Sequence, residues 1–210
     1  MAQIWIINAD GSGQPQQLTS GLVTLGGDEN GGAGISSIDC SLSWSPDETQ
    51  IAFTGLTYYC EPLCSQNDRF DVYWLQTAFP GALTKVTSCQ VNPNNLENGG
   101  ACTSPQWSPD GTSILFDDDD ATFGDNYGMG GLFVSGPYGG LVNILQNGQH
   151  DYYPRYSTDG KKVFWTSPYI PTYGIYSMNA DGTSTPVTIV PNNKYFPDTF
   201  DVSKCQSFDN

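Results

Sequence analysis

Pro105-Gln106-Trp107-Ser108-Pro109-Asp110-Gly111-Thr112-Ser113-Ile114-Leu115-Phe116 is the stretch on which the reading of this chain turns. It reads as a short strand carrying Trp107, a tight turn and a second strand. In the turn, Pro109 fixes φ, Asp110 can bond its own backbone, and Gly111 accepts a positive φ. Ile114 and Phe116 follow the two-residue period of a half-buried strand. The same unit recurs at Leu42 to Phe53 and at Pro154 to Trp165. The turn Asp (Asp47, Asp110, Asp159) always comes three residues after the aromatic (Trp44, Trp107, Tyr156). A β-branched residue follows at seven and a second aromatic at nine. Shared internal offsets of this kind mark a repeat architecture.

A second pair of strands recurs independently. Ile4-Trp5-Ile6-Ile7-Asn8-Ala9-Asp10-Gly11, followed by Gln16 to Thr19, corresponds to Ile175-Tyr176-Ser177-Met178-Asn179-Ala180-Asp181-Gly182, followed by Val187 to Ile189. Weaker versions run from Val72 to Thr87 and from Leu132 to Leu145. The full unit therefore has four strands, and complete units are expected over 38–87, 102–145 and 151–190. With 24 Gly, 14 Pro and no stretch of 3.6-residue apolar period, the composition is all-β.

The Trp-Ser-Pro-Asp-Gly turn and the Ile-Tyr-x-x-Asn-x-Asp-Gly strand resemble the WD-like β-propeller repeat of TolB-type proteins. Two departures occur: Glu48 stands where the other turns have Gly, and Thr158 stands where they have Pro. The resemblance implies a small β-propeller of four-stranded antiparallel blades. Residues 3–19 supply only the outer two strands of a unit, and 197–210 read as the inner two. Four blades are expected, one shared by the two termini, which removes exposed strand edges. The alternatives are a larger propeller cut down to this piece and exchange of the terminal strand between molecules.

The formal charge of −15, with only 7 Lys+Arg, argues against nucleic acid as a partner. No apolar run is long enough for membrane insertion. Met1-Ala2-Gln3 leads straight into a strand, so no signal peptide is seen in this numbering. Six cysteines and scarce Lys nevertheless lean towards an extracellular or periplasmic protein with disulfides. Cys60 with Cys64, and Cys89 with Cys102, are expected to pair locally, leaving Cys40 and Cys205. Other connectivities remain open.

Strand parity places every long connection on one end of the ring, where binding is usually found. That face should carry Tyr58, Tyr59, Glu61, Asp68, Tyr127, Tyr169 and Tyr173 as binding residues. Asp117, Asp119 and Asp125 are candidate ligands of Ca²⁺, since oxygen clusters suit that ion. The competing reading is a solvated acidic loop, because neighbours on a strand point to opposite sides. No other cofactor is implied. Trp44, Trp107 and Tyr156 are expected in the core. His150 is the only histidine, and no Gly-x-Ser-x-Gly occurs, so catalytic residues are not identified. The expected function is a non-catalytic exported module binding a protein or glycan, with possible self-association left open. The alternatives are a subunit of an extracellular filament and a carboxylate-dependent polysaccharide-active enzyme.

Overall fold

The computed structural model describes residues 3–19, 35–57, 69–78, 82–87, 102–118, 131–136, 139–146, 151–167 and 174–191. Fourteen strands and no helix occur among them. Strands β1 (Trp5–Ile6) and β2 (Gln16–Gln17) form a hairpin. The first four-stranded sheet holds β3 (Ile35–Trp44), β4 (Gln50–Thr57), β5 (Arg69–Gln76) and β6 (Leu83–Lys85). The second holds β7 (Cys102–Trp107), β8 (Ile114–Asp118), β9 (Gly131–Gly136) and β10 (Gly139–Gln146). The third holds β11 (Tyr152–Tyr156), β12 (Lys162–Ser167), β13 (Gly174–Asn179) and β14 (Val187–Pro191). Every pairing is antiparallel between chain neighbours, so each sheet is a meander. No helix long and apolar enough to cross a membrane is present among the described residues.

The sheets stack face to face in chain order as propeller blades. Ile51, Phe53, Tyr73 and Leu75 of the first sheet meet Ile4 and Leu18 of the hairpin. Ala52, Val72 and Trp74, on the opposite face, meet Cys102, Trp107, Ile114, Phe116 and Phe133 of the second sheet. Leu115 and Leu132 then meet Val163, Trp165 and Met178 of the third. The half-buried strand expected around Ile114 and Phe116 is therefore corrected. Every residue of β8 is buried, because alternate side chains face different neighbouring sheets and both neighbours are apolar.

Within each sheet the aromatic of the second strand stacks on the cross-strand aromatic of the third. The pairs are Phe53–Tyr73, Phe116–Phe133 and Trp165–Tyr176, with ring centroids 5.8, 5.9 and 5.9 Å apart. The inner-strand aromatic instead packs against the preceding sheet. Trp107 is 4% exposed and its backbone N–H donates to Ser43 Oγ at 2.9 Å. Tyr156 repeats the device, its N–H donating to Gln106 Oε1. Trp44 departs from the expected core position: it is 46% exposed, since it faces away from the second sheet.

The hairpin reproduces the outer half of the first sheet bond for bond. Ile4 N donates to Thr19 Oγ1 at 3.0 Å and Leu18 N to Ile4 O at 2.8 Å. Val72 N donates to Thr87 Oγ1 at 2.9 Å and Val86 N to Val72 O at 2.8 Å. A threonine hydroxyl thus completes the ladder in both. The Thr19 hydroxyl in turn donates to Gln3 Oε1, and the Thr87 hydroxyl to the buried Asp71, which also pairs with Lys85 at 2.6 Å.

Candidate functional site

The two ends of the stack differ in construction. At one end lie the turns between first and second strands, and all three close in the same way. Glu48, Gly111 and Gly160 donate N–H to the carbonyls of Ser45, Ser108 and Ser157, each at 2.9 Å. Those serines donate Oγ–H to Asp47, Asp110 and Asp159, each at 2.6 Å. The same Oγ accepts the N–H of Gln50, Ser113 or Lys162. The serine hydroxyl holds each of these carboxyls below the usual range, helped by the backbone N–H two residues on. Successive turns also touch. A Cβ on Gly111 would meet Pro46 at 3.6 Å, and one on Gly160 would meet Pro109 at 3.5 Å.

Between the second and third of these turns lies a cleft of about 700 Å³. Asp110, Asp159 and Asp181 give it three carboxylates, with Lys161, Tyr156 and Val134 on its walls. All three carboxylates are already engaged within their own turns, Asp181 by the N–H and hydroxyl of Thr183. Burial raises the Tyr156 phenol, against the lowering effect of its Ser113 neighbour. Sequence reasoning did not single out this cleft. Its signal was present in the turn Asp at the same offset in two consecutive units.

The opposite end is where the long connections leave. Residues 20–34, 58–68, 88–101, 119–130 and 168–173 join strand ends there. Asp117, which sequence placed in a cation set, lies in β8 and is fully buried. It accepts the Thr103 hydroxyl of its own sheet and, at 3.0 Å, the N–H of Tyr153 from the third sheet. Tyr153 is a bulge residue with φ of 55°, and Ser104 repeats that conformation in β7 with φ of 53°. Asp117 thus ties an inner-strand bulge to its neighbour. Arg155 donates Nη1 to Pro154 O at 2.9 Å; burial lowers its pKa and the Asp117 charge opposes that.

Among the described residues no group of three or more His, Cys, Asp or Glu is placed to hold a metal ion. Asp119, Asp125, Tyr58, Tyr59, Glu61, Asp68, Tyr127, Tyr169 and Tyr173 lie outside the described residues, as do Cys60, Cys64, Cys89, Cys205, His150 and the segment 197–210. Cys40 lies on β3, and the buried Cys102 is disulfide-bonded.

No protein-family model matches this sequence, and no curated protein matches it by sequence. Solved structures do match by fold. A TolB from Agrobacterium tumefaciens is 19% identical with a TM-score of 0.59, over 90% of this chain and 56% of that one. TolB from Acinetobacter baumannii is 16% identical with a TM-score of 0.56, over 88% of this chain and 36% of that one. A puromycin-hydrolysing peptidase from Mycobacterium tuberculosis is 14% identical with a TM-score of 0.58, over 91% and 31%. This chain therefore spans about half, or less, of the proteins it resembles. The fold is a TolB-like β-propeller.

Proposed function

We propose that this chain is a non-catalytic, exported propeller module that binds a protein or a glycan at the end bearing its long connections. The difference between the two ends carries this reading. One end is closed by short turns whose polar groups are saturated by one another. The other sends out residues 20–34, 58–68, 88–101, 119–130 and 168–173 from rigid strand ends, the usual placing of binding residues on such a scaffold. Export is supported by the disulfide-bonded Cys102 in a chain with six cysteines.

The test uses the immobilised full chain against a panel of neutral and acidic polysaccharides and an extract of cell-surface proteins. Replacing Tyr58, Tyr59, Tyr169 and Tyr173 by Ala should abolish capture with the far-UV CD unchanged. Asp110→Asn, in the turn-face cleft, should leave capture intact. The reverse pattern would move the site to the cleft.

Self-association is the second reading, favoured by one observation. Val187, Ile189 and Val190 are exposed on β14, the outer strand of the third sheet, whose far edge pairs with no strand among the described residues. An apolar open edge is a template for another chain. Light scattering on Ile189→Lys should then report a smaller assembly than the parent. An unchanged mass would remove this reading.

A further inference from the structure

We draw no further inference here: the strongest candidate, the cleft between the turns of the second and third sheets, is lined by three exposed carboxylates (Asp110, Asp159 and Asp181) that are engaged within their own turns, and nothing else among the described residues points to a ligand there.

Discussion

Trp107 and Trp44 hold the same position in adjacent sheets and meet opposite fates. Trp107 is closed in by Ala52, Val72 and Trp74 of the sheet before it. Among the described residues Trp44 has only the outer-half hairpin on its side, and it remains about half exposed. The strands around them are alike in pattern, so the strand itself does not confer burial. Each blade buries the inner strand of the next, and a blade without a full predecessor keeps an open face.

The largest expected effect breaks this pair apart. Trp107→Ala removes a buried ring and leaves a cavity, costing about 3–5 kcal/mol in denaturant unfolding. Trp44→Ala should cost well under half of that in a chain truncated after Pro191. Equal costs in the truncated chain would show that the neighbouring sheet is not what matters.

A second contrast of the same kind lies ten residues beyond each aromatic, where the first sheet has Thr54 and the second has Asp117. Asp117 is buried and bonded by Thr103 and Tyr153, whereas the buried Thr54 hydroxyl has no partner among the described residues. Asp117→Ala strands two donors and should cost about 2–3 kcal/mol. Thr54→Val removes an unsatisfied hydroxyl at constant shape and should be neutral or stabilising by up to about 1 kcal/mol. Thermal unfolding of both variants checks the sign of each.

The turns offer a smaller contrast. Glu48 has φ of 60° where Gly111 has 72°, a conformation costly for a residue with a Cβ. Gly111→Ala should destabilise by about 1 kcal/mol, and Glu48→Gly should stabilise by up to about the same amount. The weakest effect is on pH dependence. The Asp110 carboxyl titrates below its ordinary value, chiefly through the Ser108 hydroxyl. A depressed folded-state pKa adds stability that is fully present above the unfolded value of about 4 and is lost as pH falls through the folded one. Asp110→Asn should therefore narrow the Tm difference between neutral and acid pH.

Much of this fold was legible in the residues. The offsets from Trp44, Trp107 and Tyr156 located the turns and second strands, and the match between Ile4 to Gly11 and Ile175 to Gly182 located the outer hairpins. What was not legible depended on neighbours. The burial of Leu115 required knowing that a third sheet lies against it, and the exposure of Trp44 required knowing which sheet precedes it. The site was read less well. Asp117 read as a candidate cation ligand or as part of a solvated acidic loop, whereas it is buried and bonded to a bulge at Tyr153 in another sheet. No local pattern announces such a bulge: Ser104 and Tyr153 take positive φ without being glycine, and at Tyr153 the N–H is held by a carboxylate from another sheet.

The most direct measurement of the blade-by-blade account is a double-mutant cycle between Trp74 and Trp107, which meet across the first and second sheets. Each is replaced by Ala singly and together, and unfolding free energies are compared. Packing of each inner strand on the sheet before it predicts a coupling of about 0.5–1.5 kcal/mol. Strictly additive losses, with no coupling beyond error, would contradict it.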